Sequence, residues 1–146
     1  MLRTLLVAAG LALAPVAAAQ AAEVTHIPAP SRPDLPAPAF SAAVKAGDTL
    51  YVSGTTDGGA AMGGTPADAA KRVLDNVKRA VEAGGLTMDD LVWVQIFSTD
   101  LSDYAAFNEV YRTYFKGPLP ARAYIGTSHL LGDARFEVMG IAVRKP

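Results

Sequence analysis

Few residues in this chain can do polar chemistry. Arg122, which follows Pro120-Ala121, carries a planar guanidinium whose paired donors match a carboxylate and which stays charged in a pocket. A structural salt bridge, to Glu137 or to an aspartate, uses the same geometry, and the residues alone favour that plainer role. Glu137 stands between Phe136 and Val138. One carboxyl group can activate a water and then pass on its proton. An ordinary edge-strand glutamate would show the same pattern. His129 lies in a loop beside Ser128, but adjacent side chains seldom face each other and no acid is placed to orient the imidazole, so an exposed loop histidine is the better reading. With two histidines and no cysteine, the chain has no disulfide, thiolate-metal site or cysteine nucleophile, and no convincing metal constellation. The glycine-rich stretch Asp57–Gly64 has neither the Lys-Ser/Thr of a P-loop nor G-x-G-x-x-G spacing, and reads as a turn rather than a phosphate cradle.

The elements that must position these groups follow from length and periodicity. A chain of 146 residues, 51% hydrophobic, fits one domain with a sizeable core. A net charge of −1 argues against nucleic acid as a partner, since such binding needs clustered cations on one face. Phe40–Val44 and Thr49–Ser53 read as strands joined at Lys45-Ala46-Gly47-Asp48. Thr65 is an N-cap followed by Pro66, and Ala70, Val73, Leu74, Val77 and Val81 mark one face of a helix ending at Gly84-Gly85. Residues 91–98 form a strand apolar on both sides, with Val92, Val94 and Ile96 on one and Leu91, Trp93 and Phe97 on the other. Helices can cover one side; an oligomer interface would cover the second. A second helix begins near Ser102, carries the stripe Phe107, Val110, Tyr111, Tyr114 and Phe115, and stops at Gly117-Pro118. Ala121–Thr127 and Phe136–Val143 are the last strands. The order predicts an α+β sheet with both helices on one face.

Ahead of this domain lie two further segments. Arg3, the apolar run Leu5–Ala14 and Ala19-Gln20-Ala21 give residues 1–21 the pattern of a cleavable signal peptide. The run is too short for a membrane span. The expectation is a periplasmic or secreted protein with no membrane attachment after cleavage. Residues 22–39 hold Pro28, Pro30, Pro33, Pro36 and Pro38, the pattern of an extended polyproline-like arm. The domain proper would span residues 40–146.

Several strings resemble one family. They are Leu50-Tyr51-Val52-Ser53-Gly54, Leu74-Asp75-Asn76-Val77, Ala83-Gly84-Gly85-Leu86, residues 97–104, Pro120-Ala121-Arg122, Phe136-Glu137-Val138 and Ile141-Ala142-Val143. In order and spacing they resemble the RidA (YjgF) family from near Phe40 to the C-terminus. The resemblance implies a chorismate-mutase-like mixed sheet, a homotrimer with pockets between subunits, and no cofactor. It implies hydrolysis of reactive enamines and imines, such as 2-aminoacrylate and other 2-imino acids, to 2-keto acids and ammonia. It gives Arg122 the substrate carboxylate and Glu137 the water, and lines the pocket with Ser53, Gly54 and Asn108, the last equally readable as a helix-surface amide. The chain departs from the family at Phe40, where many relatives have a tyrosine, at Tyr124, where many have a cysteine, and along Gly126-Thr127-Ser128-His129. The substrate therefore need not be the usual one. A non-catalytic trimer that binds small carboxylates or acts as a holdase is the alternative. RNA cleavage, also associated with the family, is disfavoured by the charge balance and the lack of a histidine pair.

Overall fold

Thr65 opens the first helix with a reciprocal cap. The Asp68 backbone N–H donates to Thr65 Oγ1 (3.2 Å), and the Thr65 N–H donates to Asp68 Oδ2 (2.8 Å). Pro66 then takes the first helical position, where no donor is missed. In the computed structural model, which describes residues 21–31, 33–34 and 36–145, this helix is α1, Pro66–Ala83. The other elements are β1 (Val24–Pro28), β2 (Ser41–Ala46), β3 (Thr49–Thr56), β4 (Leu91–Ser98), α2 (Tyr104–Arg112), β5 (Ala121–Gly126) and β6 (Phe136–Val143). The strands form one mixed sheet in the order β1-β2-β3-β6-β4-β5; β4 and β5 are parallel and the other neighbours antiparallel. The fold is the α+β arrangement expected, with one strand more.

That strand lies within the stretch read as a polyproline-like arm. Val24 to Ile27 carry free N–H groups and pair with β2, and the register breaks between Ile27 and Pro28, where the prolines begin. The second helix is shorter than its apolar stripe. A 3-10 turn, Leu101–Asp103, precedes it, and Asp100 caps that turn by accepting from the Ser102 N–H (2.8 Å), so Ser102 is not the cap. At the far end, Asp89 Oδ1 accepts from the Lys116 and Gly117 N–H groups (2.9 and 3.2 Å), which draws the chain off the helix path. Those backbone donors hold the Asp89 carboxyl below its usual range.

The helices cover one face of the sheet. Ala70, Val73, Leu74, Val77 and Val81 of α1 and Phe107 and Tyr111 of α2 are buried with Leu50, Val52, Val94, Ile96, Phe136 and Val138. A register shift between Leu91 and Trp93 puts Leu91 into this core and leaves Val92 45% exposed, reversing the faces expected at the start of β4. Tyr51, Trp93, Phe97, Ile125, Met139 and Ile141 lie on the other face, which no element among the described residues covers.

One buried carboxylate fixes the end of the sheet near Glu137. Asp57 is 2% exposed and accepts from the backbone N–H groups of Gly59 (2.9 Å), Arg135 (3.0 Å) and Phe136 (3.2 Å). It ties the exit of β3 to the entry of β6. Asp57→Ala leaves these buried donors without partners and is expected to cost about 3 kcal/mol. A fall of roughly 10 °C in thermal midpoint at fixed protein concentration checks it; an unchanged midpoint would count against this latch.

Candidate functional site

Arg122 lies on β5, opposite Val94 of β4, and its side chain turns to the helix-covered face. Three tyrosines surround the guanidinium. Its carbon lies 4.8 Å from the ring centroid of Tyr111, 5.6 Å from Tyr104 and 5.8 Å from Tyr124. Such ring faces stabilise a cation without neutralising it. Arg122 Nη2 donates to Tyr104 Oη at 3.4 Å, and no carboxylate among the described residues forms an ion pair with Arg122. The rings hold one another in place: Tyr104 and Tyr124 meet edge-on at 5.0 Å, and Tyr124 packs against Phe107 at 5.6 Å. Beside Arg122 opens a recess of about 160 Å³, lined also by Tyr104, Asn108, Tyr111, Arg112, Leu119 and Pro120.

The three phenols differ in electrostatics. Burial pushes Tyr111 up to about 12, with Arg122 opposing it. Burial also raises Tyr124. Among the described residues the buried hydroxyls of Tyr111 and Tyr124 find no hydrogen-bond partner; the Ser98 hydroxyl, near Tyr124, donates instead to Asp100 O (2.8 Å). Tyr104 is shifted the other way: a hydrogen bond from Asn108, then the charge of Arg122, hold its phenol below the ordinary tyrosine range. Asn108 is 7% exposed and turns into this recess, not to the helix surface.

Glu137 belongs to a different place. It pairs with Phe97 of β4 and Thr56 of β3, while Arg122 is level with Val94 and Gly140. By strand alternation the two side chains lie on opposite faces of the sheet. Glu137 Oε1 is only 2.2 Å from where a Cβ on Gly54 would stand, so the missing side chain of Gly54 is what gives the carboxylate its room. Gly54 sits in an irregularity of β3, where Ser53 and Gly54 together face Met139. The Ser53 hydroxyl donates to Ser41 O (2.7 Å), so its proton is used inside the sheet. Phe40 precedes Ser41, is 60% exposed, and lines a shallow hollow of about 410 Å³ with His26, Pro28, Ala29, Ser31 and Pro38. His129 is exposed and its backbone carbonyl accepts from Thr127 Oγ1 (3.4 Å).

The residues named from sequence therefore fall into two groups. Arg122, Tyr124 and Asn108 converge on the recess under α2; Glu137, Ser53 and Gly54 converge on the open face, with Phe40 at its border. Tyr104 and Tyr111 were not foreseen as site residues. Tyr111 was counted in the apolar stripe, and Tyr104, four residues before Asn108, falls on the same helical face, which is the spacing that links them.

Most of the chain has relatives of known structure and name. The family model described as Endoribonuclease L-PSP matches residues 30–144. A 2-iminobutanoate/2-iminopropanoate deaminase of Dermatophagoides farinae is 36% identical over 108 residues, covering 71% of this chain and 84% of the relative. RidA from an Antarctic Psychrobacter superposes with a TM-score of 0.68 at 31% identity, over 86% of this chain and 99% of its own. TdcF of Escherichia coli, solved with bound serine, gives 0.69 at 29% identity, over 86% and 99%. These matches correct one expectation. The periplasmic or secreted localisation rested on residues 1–21, of which 1–20 lie outside the described residues. Among the described residues no helix is long and apolar enough to cross a membrane. The family match begins only at residue 30, so that segment is no part of what the chain shares with its relatives, and the export assignment is withdrawn. Fold, matched span and identity agree: the chain belongs to the RidA (YjgF) family.

Proposed function

We propose that this protein hydrolyses 2-imino and enamino acids to 2-keto acids and ammonia, in pockets formed between the subunits of a homotrimer. The observation that carries the reading is Arg122: a guanidinium set among three tyrosine rings, without an ion-pair partner among the described residues, beside an open recess. A site of that kind suits a small carboxylate. The named activity of the Dermatophagoides relative and the serine bound to TdcF, itself a small carboxylate, support it.

The chemistry then needs a group that handles water. Water adds to the C=N carbon, a proton goes to the nitrogen, and collapse of the carbinolamine expels ammonia and leaves the ketone. Glu137 takes the proton from the water and returns it to the leaving nitrogen. No electron transfer is involved. Since Arg122 and Glu137 lie on opposite faces of one sheet, a single chain does not close this site. A neighbour that packs on the open apolar face would bring its own Arg122 recess to this chain's Glu137.

The same separation favours a second reading, a carboxylate-binding module without turnover. Freshly generated 2-iminopropanoate and 2-iminobutanoate distinguish the two. Release of ammonia well above the spontaneous rate supports the deaminase. Tight binding of the keto acid with no acceleration for either imine supports the binding module.

A further inference from the structure

Tyr104 supplies a second donor to the substrate carboxylate. We propose that its hydroxyl and the Arg122 guanidinium together form the clamp that holds the carboxylate; this rests on the assignment of the Arg122 recess as the substrate pocket. A phenol has one O–H to give and lone pairs to receive. Arg122 can only donate, and its Nη2 points at Tyr104 Oη from 3.4 Å. Asn108, buried one helical turn along α2, lines the same recess. Arg122 does not take up the hydroxyl proton, which is left to turn to whatever fills the recess.

Tyr104 is placed to use that proton. It is 48% exposed, at the first position of α2, and lines the recess alongside Arg122. Its ring is held edge-on against Tyr124 at 5.0 Å, so the hydroxyl is fixed in direction and not merely nearby. A carboxylate seated on Arg122 would find Tyr104 Oη beside the guanidinium, within reach of the same oxygen. The lowered phenol pKa, which has Asn108 as its first cause and the charge of Arg122 as its second, strengthens it as a hydrogen-bond donor to an anion. It also sets a limit: once ionised, Tyr104 repels the carboxylate. Around it stand the guanidiniums of Arg112 and Arg122 and the phenols of Tyr111 and Tyr124, both raised by burial, so Tyr104 is the first of the three tyrosines to lose its proton as pH rises.

The test is calorimetric titration of the full chain with 2-oxobutanoate, the keto-acid product, for wild type, Tyr104→Phe and Arg122→Ala. Tyr104→Phe keeps the ring that packs on Arg122 and Tyr124 and removes one oxygen. The expected result is a loss of roughly ten- to a hundred-fold in affinity, the weight of one hydrogen bond to a charged group. In turnover the loss falls on KM more than on kcat, because the carboxylate is held alike in ground and transition states. Wild-type affinity also declines on the alkaline side below the ordinary tyrosine range, and that decline is missing in Tyr104→Phe. Wild-type affinity in Tyr104→Phe, with binding lost in Arg122→Ala, overturns the clamp and leaves the pocket standing. Unchanged binding in Arg122→Ala overturns the pocket and the clamp with it. An alkaline decline that survives in Tyr104→Phe overturns the assignment of that proton to Tyr104.

Discussion

Arg122→Ala is expected to abolish keto-acid binding and to lower kcat/KM for 2-iminobutanoate by about a hundred- to a thousand-fold, with the fold and any assembly retained. The magnitude follows from removing a paired, charge-assisted contact to a carboxylate in a partly dry recess, about 3–4 kcal/mol where each 1.4 kcal/mol is tenfold. The persistence follows from how little else Arg122 does. It joins no ion pair among the described residues, its one side-chain hydrogen bond is long at 3.4 Å, and its remaining contacts are ring faces. Contacts of that kind at a partly exposed site are worth about 1 kcal/mol. Arg122→Lys separates charge from geometry. A lysine keeps the positive charge and the attraction of the rings but not the planar fork, so it should recover part of the binding and little of the turnover. The measurements are ammonia release against the spontaneous rate, and size-exclusion chromatography for assembly. Wild-type turnover in Arg122→Ala would remove Arg122 from the pocket and the proposed function with it.

How much of this was legible in the sequence depends on whether a feature is local. The α1 cap is local: Thr65, Pro66 and Asp68 specify it within one turn, and the buried stripe follows from the helical repeat. Strands β4 and β6 keep the expected bounds because each is a predominantly apolar run of eight residues. The features that escaped are relational. Asp57 reads as one more acid in a glycine-rich turn, and only pairing of β3 with β6 brings it to the Arg135 and Phe136 N–H groups. Strand β1 was hidden because five prolines dominate residues 28–38, although the four residues before them pair freely. Tyr104 reads as an aromatic at a helix start, and its meaning comes from a strand 18 residues away in sequence. Alternation reveals that Arg122 and Tyr124 share a face, but not that Glu137 lies on the opposite one. That answer needs the register of three strands and the irregularity at Ser53-Gly54.

That separation of faces gives the second large effect, in mixtures of two inactive proteins. Suppose each pocket takes its Arg122 group from one subunit and its Glu137 group from the next. Arg122→Ala damages only the first half and Glu137→Ala only the second. Each pure variant is then inactive, Glu137→Ala by the hundred- to ten-thousand-fold typical of losing a general acid–base group. In trimers reassembled from an equal mixture, a pocket is intact when a Glu137→Ala subunit supplies the arginine and an Arg122→Ala subunit supplies the glutamate. Random assembly around a closed ring makes that true for about one quarter of pockets. The mixture should therefore regain about a quarter of wild-type activity from two preparations that each have almost none. A pocket built within one chain allows no such rescue, since every subunit would carry one defect or the other. Rescue near the expected fraction would locate the pocket between subunits. Absence of rescue, with subunit exchange shown independently by tagged chains, would require Arg122 and Glu137 to act in separate sites, and the Glu137 half of the mechanism would be discarded.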